Sequence, residues 1–238
     1  MKFIKIKTRA FLPPKDEIWR ELGKLKLKNG DILAITSKIL AIHQGRCIKI
    51  EPKVNKKKLI KQEAERYVWS RHIFRKKFII TIKDHTLIPT AGIDESNANG
   101  YYILWPKHTN KLLKEIHSYL CIKFNLKKLG IIATDSHSIP LRRGTIGISI
   151  GFYGFYPQYD YRGKPDIFGR KLKYTLTNIP DSIAAICVHL MGEGDERVPM
   201  VIARGVDVMF TQKNTHRRLL VSIDKDMYYP LLKVFKKR

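Results

Sequence analysis

The apolar residues of this chain fall into short runs whose spacing switches between strand type and helix type in no regular order. That mixture is what most narrows the fold. Gly30 to Ser37 reads as a buried strand entered from an Asn-Gly turn. Phe78 to Lys83, Tyr101 to Trp105 and Val198 to Ala203 read the same way, and Leu129 to Thr134 is a short strand that delivers Asp135. Thr145 to Tyr156, glycine-rich and aromatic, is more strand and bend than helix, and Leu219 to Ile223 is a further strand before a C-terminal helix. Helical spacing begins after Asn55, a candidate cap, with Ile60, Ala64, Tyr67 and Val68 on one face. A second helix is expected from Thr109 to Phe124, and a third from Pro180 to Met191 with Asn178 as its cap. Ile183, Ile186, Cys187 and Leu190 form the core face of the third, with His189 on its surface. This is neither a βαβ alternation nor an all-β pattern. It predicts an α+β chain of mixed and antiparallel sheets with flanking helices. No linker, repeat or low-complexity block interrupts residues 1–238, so they read as a single unit.

Hydrophobic residues make up 44% of the chain, enough for a packed core and too many for disorder. The start, Met-Lys-Phe-Ile-Lys-Ile-Lys-Thr, alternates like an edge strand and has no signal-peptide apolar stretch. No run of about 18 apolar residues is present, so no membrane span is expected. The 3 cysteines, Cys47, Cys121 and Cys187, are far apart in apolar context and read as reduced, buried thiols of a cytoplasmic protein. The net charge of +25 implies attraction to anions. Its sources are scattered: Lys56 to Lys58, Arg75 to Lys77, Lys127 and Lys128, Arg142 and Arg143, Arg217 and Arg218, and the Lys-Lys-Arg end. Scatter favours a solvated basic surface over a dedicated groove.

Three segments carry the chemistry: Ala-Gly-Ile-Asp94-Glu-Ser-Asn97, Ile-Ile-Ala-Thr-Asp135-Ser136 and Met191-Gly-Glu193-Gly-Asp-Glu. Each sets a short acidic or hydroxyl side chain where an apolar element gives way to a turn, the place where a scaffold displays reactive groups. Taken singly, each also fits an ordinary turn or cap residue. Asp94, Asp135, Ser136 and Glu193 offer oxygen alone, the donor preferred by hard cations such as Mg²⁺ and Mn²⁺. No Gly-x-x-x-x-Gly-Lys-Ser/Thr pattern occurs, and Gly192-Glu-Gly194 is too short for a dinucleotide fingerprint.

In order and spacing these segments resemble the coenzyme F420-0:L-glutamate ligases (F420-0:gamma-glutamyl ligases). The resemblance runs from Gly30-Asp-Ile-Leu-Ala-Ile-Thr36-Ser37-Lys38-Ile, through Asp160-Tyr-Arg162-Gly-Lys164-Pro-Asp166-Ile-Phe-Gly-Arg170, to Val-Ile-Ala-Arg204-Gly205. It implies a two-lobed α+β fold assembled as an intertwined homodimer. It implies a ligase that spends GTP to activate a carboxylate of a phosphorylated deazaflavin precursor and then joins L-glutamate to it. Asp94 and Asp135 are the implied catalytic residues. Asp94, Asp135, Ser136 and Glu193 are the implied ligands of two Mg²⁺ or Mn²⁺ ions, with K⁺ as a further cation. The implied nucleotide contacts are Ser37, Lys38, Asn97, Met191, Gly192, Gly194 and Asp195. Arg162, Lys164 and Arg170 are candidates for gripping substrate phosphate or carboxylate, or else charged residues of a surface turn.

Gathering such acids calls for compensation. Two carboxylates about 5 Å apart repel by roughly 3 kcal/mol at an effective dielectric near 20. The chain departs from the family pattern at three places. Where the family carries a lysine four positions after the Ser-Lys pair, this chain has Ile42; its N-terminal Gly-Leu-Pro is Phe11-Leu12-Pro13-Pro14; and Thr-Phe-Gly-Arg is Ser136-His137-Ser138-Ile139. A second class of function therefore stands beside the ligase: a non-catalytic relative that uses its basic surface to bind RNA or another polyanion.

Overall fold

The computed structural model describes residues 1–71 and 77–237. Arg75 and Lys76 of one basic run, and the terminal Arg238, lie outside the described residues. The main sheet has the order β1 (Lys2–Ile6), β10 (Met200–Arg204), β2 (Asp31–Thr36), β8 (Leu129–His137), β9 (Ile146–Tyr153). Its pairs are antiparallel except β2 with β8, which run parallel with Asp31 opposite Leu129. Along β2, Leu33 and Ile35 enter the core shared with helix α4 (Thr109–Phe124), whereas Ile32 and Ala34 enter the core under helix α5 (Ile179–Met191). A strand covered on both faces reads as one unbroken apolar run, which is how β2 looks in sequence.

The second sheet, β11 (Lys236–Lys237), β4 (Arg66–Arg71), β5 (Lys77–Lys83), β6 (Thr86–Pro89), is antiparallel throughout. Helix α3 (Lys56–Glu63) covers one face, and Leu59, Ile60, Ile79, Ala91, Tyr102 and Leu104 share the core between them. A two-stranded ribbon of β3 (Cys47–Lys49) and β7 (Tyr101–Ile103) is prolonged by a bridge from Asp94 to Ile103. Short helices α1 (Trp19–Leu22), α2 (Ser37–His43) and α6 (Tyr229–Leu232) complete the elements used below.

The α+β reading holds, and α4 and α5 occupy the stretches their spacing predicts. Asn55 and Asn178 accept from the backbone N–H groups of Lys58 and Asp181, as caps do. Several expectations need correction. The chain leaves α3 at Ala64, where the Glu65 N–H is captured by the Ile82 carbonyl, so Tyr67 and Val68 belong to β4 and not to a helix face. Leu219 to Ile223 is no strand; it links two tight turns, His216–Arg218 and Ile223–Lys225, and has no sheet partner among the described residues. Ile186 lies on the outer side of α5 and is exposed, because Ile183, Ala184, Cys187, Val188 and Met191 make the buried stripe. Of the free cysteines Cys187 is buried, while Cys47 and Cys121 are only half-buried. Among the described residues no helix is long and apolar enough to cross a membrane.

Candidate functional site

Where β2 meets α2 and β8 reaches its end, the main sheet opens into a cleft of about 680 Å³. Its walls are the start of α2, the Asp94–Asn97 turn, Asp135 and Ser136 of β8, the C-terminus of α5 with the loop to Pro199, and the segment Thr8–Leu12. The loops arrive there for local reasons. After Pro89 the chain makes a left-handed turn, with φ of 54° at both Thr90 and Ala91 and 70° at Gly92, and so redirects Asp94 toward β8. The Thr81 hydroxyl anchors the turn by accepting from the Ala91 N–H at 2.9 Å. Gly192 (φ 78°) ends α5, and the Glu196 carboxylate folds back onto it, accepting from the Gly194 N–H at 2.9 Å.

Asp94 is held by its own turn. Its Oδ1 accepts from the Ser96 N–H at 2.8 Å, and its Oδ2 pairs with Lys38 Nζ at 2.8 Å. Burial pushes the Asp94 carboxyl up, but Lys38 and Ser96 outweigh it and hold the group below the usual carboxylate range. Asp135 is treated oppositely. Its carboxyl is packed round by protein, although the residue keeps an edge on the cleft. Burial pushes it up to about 6 against the donors Trp105 and Ser136, and the neighbouring Asp94 adds to the rise. Two acids of one cleft are thus driven apart in acidity by their surroundings. Glu193 stands across from Ser136, accepting from its hydroxyl at 3.4 Å and from Thr145 Oγ1 at 3.2 Å. Asn97 Nδ2 donates to the Gly194 carbonyl at 2.7 Å and joins the turn to the α5 loop.

Of the expected metal and nucleotide residues, Asp94, Asp135, Ser136, Glu193, Lys38, Asn97, Met191, Gly192, Gly194 and Asp195 all line this one cleft. Ser37 does not: as the first residue of α2 it is buried beneath the wall. Arg162, Lys164 and Arg170 are also absent from it. They sit on an exposed antiparallel arm between β9 and α5, stitched by backbone bonds such as Tyr161 N–H to Thr175 O and Gly163 N–H to Leu172 O. Arg162 there is tied to Asp160 at 2.7 Å. Ile42 forms part of the cleft's apolar floor, with Phe11, Leu12, Ile39, Val188 and Met191 nearby on its walls.

Sequence reading missed Trp105, whose indole N–H donates to Asp135 Oδ2, and it missed the lining residues Arg9 and Arg197. The clue to Trp105 was a tryptophan between a strand and a proline, since a buried indole N–H needs an acceptor.

The charge of the cleft runs against that of the chain. Asp94, Asp135, Glu193, Asp195 and Glu196 line it, against Arg9, Lys38 and Arg197. Arg9 is already spent on Asp16, with Nη2 to Oδ1 at 2.7 Å. An acid-rich cleft in a protein of net charge +25 suits a hard cation, and the oxygen-only donors agree. Among the described residues no three of His, Cys, Asp and Glu form a ready-made metal cage.

A family model described as F420-0:Gamma-glutamyl ligase matches residues 15–205. The coenzyme F420:L-glutamate ligase of Methanocaldococcus jannaschii is 32% identical over 202 residues, covering 79% of this chain and 81% of its own length. The proteins of the same name from Methanopyrus kandleri and Methanosarcina mazei are each 32% identical. The first spans 76% of this chain and 77% of its own, the second 77% of each.

Proposed function

The chain belongs to the F420-0:gamma-glutamyl ligase family and is a ligase, and from that premise we propose the reaction it performs. It joins L-glutamate to coenzyme F420-0, or to a closely related phosphorylated carboxylate acceptor, at the expense of GTP. The γ-phosphoryl of GTP moves to a carboxylate oxygen of the acceptor, giving an acyl phosphate and GDP. The amine of glutamate then attacks the acyl carbon, phosphate leaves, and the amine gives up a proton as the amide forms.

The observation that carries this reading is the acid-lined cleft of a family member, with Asp94, Asp135, Ser136 and Glu193 facing one space. These four would hold the divalent ions, Mg²⁺ or Mn²⁺, which when bound neutralise charge on the transferring phosphoryl group. The chain's own part is positioning. Phosphoryl transfer leaves little covalent work to side chains and depends on geometry and charge. The Lys38 pairing fixes Asp94 against its turn, and the Asn97 bond to Gly194 ties the turn to the α5 loop across the cleft. Phe11, Leu12, Ile39, Ile42, Val188 and Met191 give an apolar bed for a flat heterocycle, and Arg197, free of any acid partner among the described residues, is the available anion handle at the rim.

The arm bearing Arg162, Lys164 and Arg170 leaves its large apolar residues in solvent, with Ile167 at 92% and Phe168 at 89% exposure. Surfaces of that kind mark protein contacts, which supports a homodimer in which the arm packs on a second copy. Incubation with GTP, Mn²⁺, L-glutamate and the deazaflavin precursor tests the reaction by product mass. A gain of one glutamyl residue supports it. GTP hydrolysis without ligation points to another acceptor. Neither, together with salt-sensitive RNA binding, overturns it in favour of a polyanion-binding relative.

A further inference from the structure

Trp105 is 2% exposed, yet its one polar atom is aimed at the cleft, donating to Asp135 Oδ2. The other oxygen, Oδ1, accepts from the Ser136 N–H at 2.9 Å. One donor on each oxygen fixes the plane of the carboxylate, and a carboxylate has about four acceptor sites, so lone pairs remain for the cleft.

The indole is itself held in place. A Cβ at Gly92 would lie 2.1 Å from Trp105 Nε1 and 2.4 Å from Cε2, so only glycine lets the ring close on that turn. Behind it, Arg46 Nε donates to the Trp105 carbonyl at 3.2 Å, and Lys83 Nζ stands 5.8 Å from the ring centroid, over its face. Both cations converge on Glu63 Oε2, Arg46 at 2.7 Å and Lys83 at 2.6 Å. Two half-buried or buried positive charges sharing one carboxylate make a rigid, satisfied base. Gly92 lies two residues before Asp94, so the turn that seats the ring also delivers the second acid.

We propose that Trp105 is a positioning residue, its indole N–H orienting Asp135 toward the divalent ion while Arg46, Glu63 and Lys83 hold the ring in place. The proposal rests on the ligase reading for its consequence, while the orientation itself can be tested apart from activity. Partners that orient a metal ligand are worth about ten- to a hundredfold in metal affinity or activity.

The chain has 3 tryptophans, so its ¹H–¹⁵N spectrum shows few indole peaks. The one that vanishes in Trp105→Phe is expected far downfield in the metal-free protein and should move upfield in Asp135→Asn. An indole peak at ordinary shift, indifferent to Asp135→Asn, overturns the proposal. Mn²⁺ alone is then titrated into the same proteins. Trp105→Phe, studied at a temperature where it remains folded, should weaken Mn²⁺ at least tenfold. In the Asp135→Asn background the same change should have no further effect, because two residues acting through one contact are not additive. Equal Mn²⁺ affinity in the wild type and Trp105→Phe overturns it, and so do additive losses. If Trp105→Phe unfolds, benzothienylalanine at position 105 keeps the ring shape without the N–H and takes its place. A wild type that binds no Mn²⁺ and makes no product counts against the ligase reading, whereas the indole shift still decides whether Trp105 holds Asp135.

Discussion

At the scale of single residues, the cleft separates two aspartates by the company each keeps. Asp94 gains a lysine and a turn; Asp135 gains burial and a neighbouring charge. Because folding raises the Asp135 pKa from 3.8 to about 6, the folded metal-free protein takes up a proton more readily than the unfolded chain. The stability this gives is present below pH 3.8 and is lost as pH rises through about 6. Asp135→Asn, neutral throughout, should therefore stabilise the metal-free protein at pH 7.5 and lose that advantage near pH 4.5. Urea unfolding in EDTA at the two pH values checks this. No gain at pH 7.5 would mean that the carboxylate is solvated after all. The identity of both acids was legible because each follows an apolar run, although only Asp94 stands in a turn; Asp135 lies within β8, which runs on to His137 rather than stopping at Thr134. Their different states were not, since Lys38 reaches Asp94 from a segment far away in sequence and the burial that raises Asp135 comes from tertiary packing.

At the scale of elements, long periodic stretches were readable and irregular ones were not. The α4 limits follow from the spacing of Leu112, Leu113, Ile116 and Leu120. The β3 and β6 strands, of 3 and 4 residues, carry too few positions to show a period. Nor could spacing show that Leu219 to Ile223 lacks a neighbour to pair with, because strand pairing is non-local. Gly147 illustrates a constraint that only packing reveals. It pairs with Ser136 on β8, and a Cβ there would lie 2.3 Å from the Ala184 carbonyl and 2.6 Å from Val188 Cβ. Gly147→Ala should push α5 off β9 at a cost of about 1–3 kcal/mol, the usual range for overpacking. Thermal unfolding followed by circular dichroism would register this as a lower midpoint. An unchanged midpoint would show that the helix seats more loosely than its contacts imply.

At the scale of the whole molecule, the resemblance carried the family, and periodicity alone supported only a mixed α and β chain. The arm from β9 to α5 marks where single-chain reasoning ends, since Arg162, Lys164 and Arg170 stay out of the acid-lined cleft and Arg162 borders a separate small hollow with Asp160 and Arg218. If the proposed homodimer forms through this arm, replacing Ile167 and Phe168 together by aspartate should lower the mass seen in sedimentation velocity from that of a dimer to that of a monomer, with little change in monomer stability, because those side chains bury almost nothing within the chain. A species of unchanged mass would place the contact elsewhere. The pairing of β1 with β10, Lys2 opposite Arg204, has a consequence in time. Strand β1 is made before β10, its sheet partner among the described residues, which follows roughly two hundred residues later; at about 5–20 residues per second that is a wait of about 10–40 s. For that interval an alternating apolar strand stands unpaired, and charges such as those of Lys2 and Lys5 oppose its pairing with the same strand of another chain.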